Sequence, residues 1–225
     1  MNKKEKLKRW KKNKSVPMDE KAARREAERR GLRLLSYEVH YKPMGRALFP
    51  KEAEDAIQEV YPLALESPKK AIGRLRKLII QFPQVPQFRN YLGAALGATG
   101  QTAEQEVLAK ESFELFYDYL FAWVNYGQVL LRQGKLEEVE ALFPNGIEPQ
   151  MMYPERKAFH VTEVNAVYML AATYRLKKGD IDVAENLLEI MREVAPESPE
   201  AEAVERDLEM AVLKRNAEKF PFRRR

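Results

Sequence analysis

At 225 residues, 45% apolar and 32% charged, the chain is long enough for one sizeable domain or an elongated repeat array. It contains no cysteine, which excludes disulfides, thiolate zinc sites and cysteine nucleophiles together. Of the net charge of +5, residues 1–33 carry +9 and residues 214–225 another +5, which leaves −9 on residues 34–213, an acidic body with two basic ends.

The first segment, MNKKEKLKRWKKNKSVP, has too few large apolar groups to build a core and reads as a disordered tail. Lys3, Lys4, Lys8, Arg9, Lys11 and Lys12 around Trp10 suit phosphate neutralisation with the indole stacked on a base, so RNA or a ribosome is one partner class; a solubilising tail has the same composition. No apolar run approaches a membrane span, and the basic N-terminus lacks the apolar stretch of a secretory signal, so the cytoplasm is the expected compartment. Residues 18–33, rich in Ala, Glu and Arg, favour a short solvated helix closed by Gly31. Over 34–49, Leu35, Tyr37, Val39 and Tyr41 alternate as on an extended strand; one strand cannot make a sheet alone, so an arm lying on a helical surface is expected.

From Pro50 onward the pattern is helical. Ser67-Pro68 reads as an N-cap followed by proline at the first helical position, Ala71, Leu75, Leu78 and Ile79 recur at helical steps, and Pro83 stops the run. Sliding the chain against itself shows a period. Gly93 and Gly127 are 34 residues apart, as are Gly100 and Gly134, and NYLGAALGATGQ aligns with NYGQVLLRQGKL. The register extends back to Ala71, Leu75 and Pro83, and forward, after about eleven extra residues, to Gly179, Ala184, Leu188 and Pro196. A fixed period of this length marks a helix-turn-helix repeat.

On Leu92, Gly93, Leu96 and Gly100, then Trp123, Gly127, Leu130 and Gly134, then Tyr168, Gly179, Ala184 and Pro196, the chain resembles the tetratricopeptide repeat superfamily over about residues 52–196. The resemblance implies an all-α fold over 50–198, a right-handed α-solenoid of about three to four antiparallel helix pairs. A polar-faced capping helix and basic tail would follow over 199–225. Gln105 and Val139 stand where such units usually have a small alanine, and Pro62 interrupts the first unit. The first helix of each unit would line a concave groove, which assigns Asn90, Ala94, Asn125, Gln128, Arg132, Thr173 and Lys177 to that surface. Amides and cations there suit an extended peptide or protein partner; a wet helix face has the same composition.

The repeat also bears on GAALGATGQT, Gly93–Thr102, which looks at first like a phosphate loop. Such loops need a lysine after the last glycine and a preceding strand, and neither is present. Gly93 reads instead as a close helix contact and Gly100 as a left-handed helix end, with Thr102 and Gln105 forming a capping box. Gly97 aligns with Leu131 and the register does not explain it. His160 and Glu163 sit one turn apart without a second histidine, which favours a solvated helix face over a metal site. No catalytic signature, metal set or cofactor motif occurs, so the sequence reads as a non-catalytic scaffold. The period breaks at the insertion 143–159, whose Met151, Met152 and Tyr153 either meet a partner or fold back onto the neighbouring helix.

Overall fold

Proline and glycine set most of the helix boundaries. The computed structural model describes residues 37–42 and 49–219, which belong to one unit spanning 37–225; the basic tail over 1–33, Leu35 and residues 220–225 lie outside the described residues. In chain order the elements are β1 (Glu38–His40), α1 (Lys51–Glu66), α2 (Pro68–Gln81), α3 (Pro86–Ala98), α4 (Thr102–Leu115), α5 (Leu120–Arg132) and α6 (Leu136–Leu142). There follow α7 (Pro149–Met152), β2 (Ala158–His160), α8 (Val161–Lys178), α9 (Ile181–Val194) and α10 (Pro199–Lys219). Pro68 opens α2, Pro86 opens α3 and Pro199 opens α10, each at a position where the missing N–H costs nothing. Ser198 caps α10, its hydroxyl accepting from the Ala201 N–H at 3.0 Å. Ser67 precedes α2 but makes no such side-chain bond.

Three turns repeat one hydrogen-bond pattern. Gly100, Gly134 and Gly179 have φ of 75°, 74° and 84°. The residue after each glycine donates back to the helix it leaves, Gln101 to Leu96 O, Lys135 to Leu130 O and Asp180 to Arg175 O, all at 2.9 Å. Only glycine takes that left-handed turn without steric cost, which is why glycine recurs there. The capping box does not form. Gln101 leads directly from the turn into α4, so Thr102 falls one position too late to cap, and Gln105 is used elsewhere. Pro62 does not break α1 either; the helix runs through it with the proline on the exposed face.

Helices α1 to α6 each pack on the next, as do α7 to α10, and α1 with α3, α3 with α5, α5 with α8 and α8 with α10 also touch. The core runs along these contacts through Val60, Leu75, Phe88, Leu96, Leu131, Leu170 and Met191. Ala71, Leu78, Ala184 and Leu188 are buried as their spacing predicts, while Ile79 is only partly covered. At the far end α10 buries Ala201 and Val204, yet leaves Met210 and Leu213 exposed, so its outer face is not wholly polar.

The arm finds a partner that the sequence reading missed. β1 pairs in parallel with β2, setting Glu38, Val39 and His40 beside Ala158, Phe159 and His160. The two-stranded ribbon packs on α8. There Tyr37 is buried edge-on to Phe159, its hydroxyl 3.0 Å from that of Tyr168, and Tyr41 donates to Val194 O at 2.8 Å. The insertion folds back rather than projecting. Phe143 and Phe159 are buried, and Met151, Met152 and Tyr153 are half-buried.

Candidate functional site: a polar pocket between two helices

A pocket of about 250 Å³ opens between α3 and α5, with α4 as its floor and Met169 of α8 at one end. Helical spacing places the lining: Asn90 and Ala94 lie one turn apart on α3, as do Gln128 and Arg132 on α5. Five of the residues assigned to a groove by the register, Asn90, Ala94, Asn125, Gln128 and Arg132, therefore meet around one space. Thr173 and Lys177 do not join them. Thr173 returns its hydroxyl to Met169 O of its own helix at 2.8 Å, and Lys177 is exposed one turn further on. The tail residues Lys3, Lys4, Lys8, Arg9, Trp10, Lys11 and Lys12 lie outside the described residues.

The polar groups of the pocket are arranged unevenly. Asn125 Nδ2 donates to Asn90 Oδ1 at 2.8 Å, tying α5 to α3. Gln105 Nε2 donates to the Gly93 carbonyl at 3.0 Å, and its Oε1 accepts from Arg132 Nη2 at 3.2 Å. Ser112 on the floor donates to Leu108 O. Asn90 Oδ1 and Gln105 Oε1 are thus engaged by the protein itself, whereas Gln128 Nε2 is buried with no hydrogen-bond partner among the described residues. Arg89 is balanced by Glu111 at 3.1 Å, while Arg132 has no carboxylate partner among the described residues. Nearby, burial pushes the Tyr119 hydroxyl well above the usual phenol range, with the Asn90 side chain pulling the other way. Gln128 Nε2 is thus the one buried side-chain donor of the lining left unpaired among the described residues.

Gln105 and Gly97 explain each other. A side chain at Gly97 would place its Cβ 2.7 Å from Gln105 Nε2, so the glycine makes room for the amide that reaches Gly93 O. Gly93, expected to allow close helix approach, does not need to be glycine for that reason, since a Cβ there would meet Leu108 at an ordinary 3.9 Å. The tight approach is at Gly127, where a Cβ would lie 3.0 Å from both Leu170 Cδ2 and Phe143 Cε2. The α4 residues of the pocket escaped the sequence reading because only the first helix of each unit was expected to line a groove; the signal was Gln105 standing in place of a small residue.

His160 and Glu163 are not on a solvated face. His160 caps α8, its Nδ1 accepting from the Thr162 N–H, and Glu163 accepts from the His160 N–H at 3.0 Å. Glu163 is 5% exposed and takes two hydrogen bonds from Arg156, at 3.1 and 2.7 Å. Burial, and the His40 ring whose centroid is 5.3 Å away, hold the His160 imidazole below its usual range. Among the described residues no group of three His, Cys, Asp or Glu side chains converges as a metal site requires, and no helix is long and apolar enough to cross a membrane.

Compared with known proteins, the chain matches no family model, no curated protein and no solved structure.

Proposed function

We propose that the chain is a non-catalytic interaction module, built of tetratricopeptide-like helix pairs, that holds an extended peptide or protein segment in the pocket between α3 and α5. The observation that carries this reading is Gln128 Nε2, buried without a hydrogen-bond partner among the described residues, in the wall of a pocket also lined by Asn90, Asn125 and Arg132. A peptide backbone supplies carbonyl acceptors at regular intervals, and an amide donor held without a partner is costly unless a ligand completes it. The test is selection from a random peptide library. The triple variant Asn90→Ala, Asn125→Ala, Arg132→Ala should keep its helical circular dichroism and lose the enriched peptides; unchanged enrichment would sink the reading.

A second reading rests on the sequence alone. The cations around Trp10 suit RNA or a ribosome, in which case the helices hold protein and the tail holds phosphate. It predicts RNA co-purification that falls steeply with salt and vanishes on deletion of residues 1–33; RNA binding that survives the deletion would eliminate it.

A further inference from the structure

A second pocket, of about 180 Å³, lies where the insertion folds against α5. None of its lining residues carries a charge. Trp123, Phe143 and Tyr117 bring aromatic surface, Met151 and Met152 bring thioethers, and Tyr153 brings a phenol. Rings and polarisable sulfur of this kind favour aromatic guests over aliphatic ones.

The polar atoms of the wall are also informative. The Trp123 Nε1–H is already engaged, donating to Tyr117 O. The Tyr153 hydroxyl is buried and has no hydrogen-bond partner among the described residues. Burial raises its pKa, so it stays a protonated donor across the ordinary pH range. Gly146, with φ of 108°, lets the Met151 sulfur sit where a Cβ would be only 2.9 Å away; any side chain there would drive Met151 aside. A volume of about 180 Å³ is several times the share of one water molecule, roughly 30 Å³, and compares with cavities of roughly 150 Å³ that admit benzene.

We propose that this pocket binds a small, neutral aromatic molecule carrying a hydrogen-bond acceptor. The ring lies among Trp123, Phe143 and the two methionines, and the acceptor receives a hydrogen bond from the Tyr153 hydroxyl. A charged guest is disfavoured because no lining residue carries a charge to offset its desolvation, and the Arg156 guanidinium over the Tyr153 ring is already paired with Glu163. The site is separate from the α3–α5 pocket and does not depend on a peptide binding there.

The test uses the full chain with methyl-labelled methionine, acetophenone as probe, and benzoate and cyclohexyl methyl ketone as charged and non-aromatic comparators. Acetophenone should shift the Met151 and Met152 methyl resonances saturably while leaving Met191, buried in α9, unmoved. Tyr153→Phe should weaken binding about five-fold, the loss of one hydrogen bond, with Met191 unchanged to show that the fold is intact. Benzoate and the cyclohexyl ketone should both bind at least about ten-fold more weakly. The proposal is overturned by the absence of a saturable shift up to the solubility limit, by equal binding of benzoate, or by an unaltered affinity in Tyr153→Phe. Binding of N-acetyl-phenylalaninamide without binding of acetophenone would also overturn it, by making the pocket an anchor for a peptide side chain.

Discussion

Helix α5 borders two pockets of contrasting chemistry. Asn125, Gln128 and Arg132 face one lined with amides and arginines, while Trp123 faces one that is aromatic and uncharged. The difference follows from what closes each space. On the polar side the closing surfaces are α3 and α4, whose facing residues include Asn90, Gly93 and Gln105. On the aromatic side it is the insertion, which lies outside the repeat and brings Phe143, Met151, Met152 and Tyr153. One helix thus borders two chemically different spaces, one closed by its neighbouring helices and one by the insertion.

The largest expected effect separates the two sides by removing what anchors the insertion. Glu163→Ala leaves the Arg156 guanidinium without its carboxylate and the His160 N–H without an acceptor. Breaking a buried pair typically costs 3–5 kcal/mol, and because Arg156 is 37% exposed the loss should be nearer about 2 kcal/mol in urea unfolding. The Met151 and Met152 methyl resonances should shift and broaden while the amide resonances of Asn90 and Asn125 hold still. Equal disturbance of both pockets would mean that they do not fold independently.

A smaller effect, of opposite sign in the two arms, concerns the two aligned glycines. Gly127→Ala forces a methyl against buried Leu170 and Phe143; overpacking should exceed the helix-propensity gain and destabilise by about 1 kcal/mol. Gly93→Ala meets only Leu108 at ordinary distance and should stabilise by up to about 1 kcal/mol. Thermal melts of both variants decide it, and the same sign in both would refute the packing difference.

The smallest effect is a pH dependence confined to the ribbon at the insertion. The His160 pKa is lowered in the fold, by burial first and then by His40, with Glu163 opposing. The unfolded chain therefore takes up the proton first, and stability should fall as pH drops below the ordinary histidine value of about 6.5. His160→Asn retains a capping side chain and should flatten that fall between pH 7 and 5; an unchanged profile would assign the dependence to other groups.

Much of the fold was legible because helices advertise themselves. Ser67-Pro68, Gly100, Gly134 and the alternation of buried Ala71, Leu75 and Leu78 give starts, stops and a face. β2 was not legible, since three residues, Ala158–His160, are too few to show a period. Glu163 misled because a carboxylate on a helix normally faces water; its burial depends on Arg156, which reaches it from the insertion. At the polar pocket, α3 and α5 could be read through the 34-residue register, while α8 follows the extra residues and its assigned Thr173 and Lys177 miss the space. Gly97 and Gln105 each looked like an irregularity alone; together they are one contact.

The most direct test of the binding claim is Gln128→Met, read twice. The substitution keeps side-chain length and helix propensity and removes the buried, unpartnered amide. If Gln128 is retained for a ligand, the variant should be more stable than the native chain by about 1 kcal/mol in urea and should lose most of the peptides enriched from the random library. A variant that is less stable and keeps the same peptides would contradict the account, because Gln128 would then serve the fold and not the partner.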